Sequence, residues 1–143
     1  VYIIEIGPRN GGNMIPDFLK IIDKIDMVKA SVEVAMGNTD ITLEYKANFG
    51  YYVSYNIHSD QSGRLNDIVY DDLIKDKITS KVIYKNKGDH IEYFEQANQA
   101  LGILFLKFDD QKTQIAFMND PSKWIKVILD KEWLWKRSED ILS

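Results

Sequence analysis

The sequence predicts an α+β fold: a single domain over residues 1–143, with a largely antiparallel sheet of six to seven strands and about three helices. Three observations point there. The 143 residues are 45% hydrophobic and 28% charged, the balance of one soluble domain, and such a length buries roughly 68–70% of its unfolded surface. No Pro/Gly/Ser-rich linker divides the chain, and no repeat of about 20 to 50 residues recurs in it. Turn signals follow one another between short apolar runs, so hairpins come in series and do not alternate strictly with helices.

Val1-Tyr2-Ile3-Ile4-Glu5-Ile6 is rich in β-branched and aromatic residues and is stopped by Gly7-Pro8, which predicts a short strand and then a polar loop to Asn13. From Pro16, the residues Phe18, Leu19, Ile22 and Ile25 recur at helical spacing between charged ones. They predict an amphipathic helix ending near Val28. Over residues 30–58 the period changes to two, and Gly37-Asn38 and Asn48-Phe49-Gly50 divide the stretch into three strands of a meander. In the third strand Tyr51, Val53, Tyr55 and Ile57 share one face, the better core candidate.

Leu65 to Ile78 reads two ways, as a helix through Leu65, Ile68, Val69 and Leu73 or as a strand around Asp67-Ile68-Val69-Tyr70. Lys81 to Lys85 reads as a strand ended by Asn86-Lys87-Gly88. Asp89 followed by Glu92 has the form of a capping box, which predicts a helix from about His90 to Leu101. Ile103–Phe108 and Thr113–Met118 read as a hairpin around Asp109-Asp110, and Asp120-Pro121 as the start of a last helix. Trp124, Ile125, Ile128, Leu129 and Trp133 would form its apolar side.

Lys plus Arg total 18 against 22 Asp plus Glu, a net charge of −4, and arginine occurs only at Arg9, Arg64 and Arg137. Nucleic acid is therefore disfavoured as partner, since phosphate backbones are bound chiefly by clustered cations. The lack of cysteine excludes disulfides, thiolate metal sites and a Cys nucleophile. No apolar run approaches the roughly 20 residues that span a bilayer. Val1 rather than Met opens the chain, so an initiator or a longer leader is expected to have been removed or omitted, and the cytoplasm is the favoured location.

Gly7-Pro8-Arg9-Asn10-Gly11-Gly12-Asn13 lies between a predicted strand and a predicted helix, where phosphate-cradling loops sit. It has neither the P-loop nor the G-x-G-x-x-G pattern, and Pro8 removes a donor, so a plain connecting loop is favoured. His58 and Asp60 form a His-x-Asp pair, but two ligands do not make a metal site, and the other histidine, His90, is placed at a helix start. No serine stands in a nucleophile elbow. No cofactor and no metal are expected.

The acidic residues concentrate in one stretch: Asp60, Asp67, Asp71, Asp72 and Asp76 fall within 17 positions, opposed there by Arg64 and Lys75. The ordinary reading is a solvated face. The functional one is a surface for a basic protein, with Tyr70 as an aromatic anchor. The order of elements, with a helix around Asp17 to Ile25, a meander through Tyr51-Tyr52-Val53-Ser54-Tyr55 and a helix at Glu95-Gln96-Ala97-Asn98-Gln99-Ala100-Leu101, resembles immunity proteins of bacterial toxin systems.

That resemblance implies a non-catalytic protein that blocks a cognate toxin, such as a nuclease, by covering its active site. Asp60, Asp67, Tyr70, Asp71, Asp72 and Asp76 are the residues expected at the interface. Two alternatives stay open: a small-ligand domain or small enzyme with a pocket near His58 and Asp60, and a homo-oligomeric module that covers Trp133 and Trp135.

Overall fold

The computed structural model describes residues 10–46 and 48–130. Contacts group the chain into two compact units, Val1–Gly50 and Tyr51–Ser143. The class is α+β, with four α-helices and six strands among the described residues. The strand expected at Val1 to Ile6, and Trp133 and Trp135, lie outside the described residues.

In the first unit, α1 (Ile15–Asp23) begins after Met14 in the left-handed region, with no side-chain cap. It ends earlier than the apolar spacing suggests, because Lys24 turns left-handed at φ 62°. Asp26 then caps a second helix, α2 (Met27–Ala35), by accepting the Lys29 N–H at 2.9 Å, and takes a 2.6 Å ion pair from Lys20. That cap overturns the expected first strand of the meander. Once Asp26 starts a helix, Val28 and Val32 fall at i, i+4 on it rather than alternating along a strand. The second strand is missing too. The backbone N–H groups of Lys46 and Asn48 instead donate to Asp23 and Ile22, at 3.1 and 3.0 Å, and satisfy carbonyls that α1 leaves open at its end.

The second unit holds β1 (Tyr51–Ile57), β2 (Gly63–Tyr70), β3 (Ile78–Ile83), β4 (His90–Ile91), β5 (Gly102–Phe108) and β6 (Ile125–Leu129). They form two three-stranded antiparallel sheets, ordered β1-β5-β3 and β4-β2-β6. Of the seven residues of β5, only Lys107 escapes full burial. Leu104, Leu106 and Phe108 join Ile57, Leu65, Ile91 and Ile125 in one cluster, with Val53 and Tyr55 packed against it. The face expected of β1 is thus the core face, apart from Tyr51, which is 42% exposed at the strand's start.

The ambiguous stretch divides. Residues through Tyr70 pair with β6, and Asp71 caps a single turn, α3 (Asp72–Lys75), by accepting the Leu73 N–H at 2.9 Å. Three other expectations fail for local reasons. His90 and Ile91 pair with Arg64 and Gly63 instead of opening a helix. The Asp89 carboxylate accepts the Asn86 N–H at 2.7 Å, and the reciprocal capping box belongs to Gln96 and Gln99 on one 3-10 turn. Thr113–Met118 is not a strand but the body of α4 (Gln111–Met118), because Asp110 accepts both the N–H and the hydroxyl of Thr113 at 2.8 and 2.7 Å. Asp120-Pro121 starts only a 3-10 turn, Pro121–Lys123, after which β6 pairs with β2.

Candidate functional site

The acidic residues of the expected protein interface lie on β2, on the α3 turn and beside His58. Asp71 is spent on its cap, and Asp72 holds Lys75 at 2.7 Å, a hydrogen bond that draws the Asp72 carboxyl below and the Lys75 ammonium above their ordinary values. Asp76 closes the same turn. Asp67 accepts the N–H of its neighbour Ile68 at 2.7 Å, and the Tyr70 ring lies under the Lys81 ammonium, 5.0 Å from its centroid. Asp60 stands apart from these, beside His58.

His58 and Asp60 do share a concavity, as the small-ligand alternative expects. A cleft of about 360 Å³ is lined by Tyr55, His58, Ser59, Asp60, Ser122 and Ile125 to Ile128. Alternation along β1 sends Ile57 to the core and carries His58, just beyond the strand's end, outward. The His58 ring stacks on Phe94 at 4.6 Å and 29° and tilts against Tyr55 at 5.7 Å. Its Nδ1 lies 2.8 Å from the Asn56 carbonyl. A carbonyl only accepts, so Nδ1 carries a proton, and of the two neutral tautomers this contact selects the one with Nε2 as acceptor.

The hydroxyls of the cleft are less free. Ser59 is 5% exposed, and its Oγ donates to the Gln61 carbonyl at 2.8 Å. Ser122 donates to Asp120 at 2.6 Å. Neither is set up as a nucleophile: Ser59 bonds a carbonyl, and the bonds from Ser122 and Lys123 hold the Asp120 carboxyl below its ordinary pKa, which makes it a weak proton acceptor. Burial pushes the Tyr55 hydroxyl above its ordinary pKa, so it stays a neutral phenol. Asp60 and Lys126 have no ion-pair partner among the described residues, and Ile125, Val127 and Ile128 give the cleft an apolar wall. One anion, one cation and an apolar wall suit the binding of a small zwitterion. Among the described residues no three His, Asp or Glu side chains gather as a metal site requires.

No family model matches the chain, and no curated protein does. Among the solved structures that share its fold are two enzymes. Phosphoribosylglycinamide synthetase from Anaerococcus prevotii aligns with a TM-score of 0.63 and 24% identity, over 90% of this chain and 34% of that one. L-amino acid ligase from Bacillus licheniformis aligns with a TM-score of 0.69 and 17% identity, over 91% of this chain and 33% of that one. The fold is one that ligases contain. The chain spans about a third of the length of each. Both neighbours are enzymes, which contradicts the expected non-catalytic toxin inhibitor and the expectation that the chain is not an enzyme. The acidic stretch that suggested a toxin partner consists of caps, a local ion pair and a strand residue.

The sequence reading picked out His58 and Asp60 but not their companions from β6. Lys126 could not be connected to them while its segment read as a helix. No helix among the described residues is long and apolar enough to cross a membrane.

Proposed function

We propose that the chain is part of an ATP-grasp-like ligase, one that joins the carboxyl of an amino acid to an amine. The observation that carries this reading is the fold shared over nine tenths of the chain with two enzymes whose names each describe bond formation on an amino acid. A carboxylate and an amine do not condense in water unaided, because the carboxylate oxygen is a poor leaving group. Phosphorylation by a nucleoside triphosphate supplies a better one.

One feature of this chain supports the reading. The His58 cleft offers Asp60 to an ammonium and Lys126 to a carboxylate. A cytoplasmic location goes with this function, since the triphosphate is held there.

The test is turnover by the native full-length protein isolated from its source. With ATP, individual L-amino acids and an amine acceptor, ADP and phosphate should appear only when both co-substrates are present, with the amide detected by mass spectrometry. Lys126→Gln should lower that turnover by at least tenfold, the loss of one charge-assisted contact to the substrate carboxylate. Failure of all twenty amino acids to stimulate nucleotide consumption would overturn the proposal.

A further inference from the structure

A second cleft lies in the same unit, between β2 and β3, and its charge is opposite to that of the chain. It encloses about 190 Å³, and three lysines, Lys81, Lys85 and Lys87, line it with one acidic residue, Asp67. The protein as a whole carries −4. Six lysines elsewhere, Lys20, Lys29, Lys46, Lys75, Lys77 and Lys123, each lie within 4.0 Å of a carboxylate. None of the three in the cleft has such a partner among the described residues.

The cleft is held by backbone. Residues Asn86 to Asp89 turn through Gly88 at φ +91°, and the turn is closed by the Asp89 N–H donating to the Asn86 carbonyl at 3.0 Å. It is tied to β2 at Leu65, whose carbonyl accepts the Gly88 N–H at 2.7 Å and whose N–H donates to Asp89 at 2.9 Å. Lys85 and Lys87 therefore project from anchored backbone, and Lys85 is half-buried. Asp67 carries one negative charge against their three positive ones, and among the described residues no lysine lies within 4.0 Å of its carboxylate. Like charges gathered this way repel one another, a cost that a bound anion removes.

We propose that this cleft binds a phosphoryl group of a small molecule, held by Lys81, Lys85 and Lys87. Lysine is a point-charge ligand for phosphate, and a concavity of this size admits a phosphate or diphosphate while excluding a folded acidic surface. The acidic balance of the chain argues against a nucleic-acid backbone as the source. The proposal stands on these lysines and does not depend on the ligase reading, since its test reads binding and not turnover.

The probes are inorganic phosphate, pyrophosphate and a penta-glutamate peptide, added to the 15N-labelled full chain at constant ionic strength. Amide shifts over residues 64–70 and 81–88 should saturate with pyrophosphate, and more weakly with phosphate. Lys85→Gln combined with Lys87→Gln should weaken pyrophosphate binding at least tenfold. Lys112→Gln, on the exposed face of α4, should leave binding unchanged. The double variant should also melt no lower than the parent at low salt, because it loses repulsion and no ion pair. Shifts that grow linearly without saturating, or that follow Lys112 equally, would mean general counter-ion binding and overturn the site. Equal or tighter binding of penta-glutamate would overturn the phosphoryl assignment.

Discussion

Asp110 decides what the eight residues after it become. Its carboxylate takes the Thr113 N–H and then the Thr113 hydroxyl, and these bonds hold the Asp110 carboxyl below its ordinary pKa. A depressed folded value means that the contribution to stability is fully present above the unfolded pKa, near 3.9, and is lost as pH falls through the folded value. Asp110→Ala should therefore lower the melting temperature by a few degrees at pH 7, and the difference from the parent should shrink toward pH 2. A gap that stays constant down to pH 2 would show that the charge plays no part.

Gly102 is a residue of a different kind, required for space. A Cβ there would sit 2.5 Å from the Val82 carbonyl oxygen and 3.0 Å from the Ile83 Cδ1. Because the first of these is backbone, no rotamer change relieves it. Gly102→Ala should cost about 1–3 kcal/mol in urea unfolding and perturb amide shifts along β3 before those of β1.

At the scale of elements, β5 is the member on which the rest of its sheet depends. It pairs with β1 on one side and β3 on the other, and both its faces are buried, so Ile103 and Phe105 are as covered as Leu104 and Leu106. Leu104→Ala should cost about 2–5 kcal/mol, whereas Ile115→Ala, at a side chain 51% exposed on α4, should stay within about 0.5 kcal/mol. A chemical denaturation series separates the two.

The same contrast explains what could be read in the sequence. β1, β5 and α1 announce themselves because a continuous apolar run or a strong helical period leaves one reading. Thr113 to Met118 and Ile125 to Leu129 carry too few residues for periodicity to choose. For the first, a cap from Asp110 decides; for the second, pairing with β2, which no local rule foresees. The sites divide similarly. His58 and Asp60 are neighbours in the chain and were visible as a pair, while Lys126 reaches their cleft only through the β2–β6 ladder. Lys81, Lys85 and Lys87 stand at even spacings in the sequence, yet their lack of carboxylate partners is a fact of three dimensions.

At the scale of the molecule, burial is unequal between the two units. Every described residue that is fully buried lies in the second unit, from Ile57 to Ile125. Neither α1 nor α2 buries one, and on α2 and just after it Val28, Val32, Val34 and Met36 are 51%, 53%, 58% and 82% exposed. Apolar side chains left so open add little transfer free energy against the backbone entropy of ordering two helices. Helices of nine residues are marginal in water by themselves. Residues 51–143 expressed alone should therefore unfold cooperatively, with a urea slope in the range of small domains, about 1–3 kcal/mol/M. Residues 1–50 alone should show little helical circular dichroism and no cooperative transition. A cooperative urea transition in residues 1–50 alone would show instead that α1 and α2 are held by contacts within their own unit, which the exposure of Val28, Val32 and Val34 does not provide.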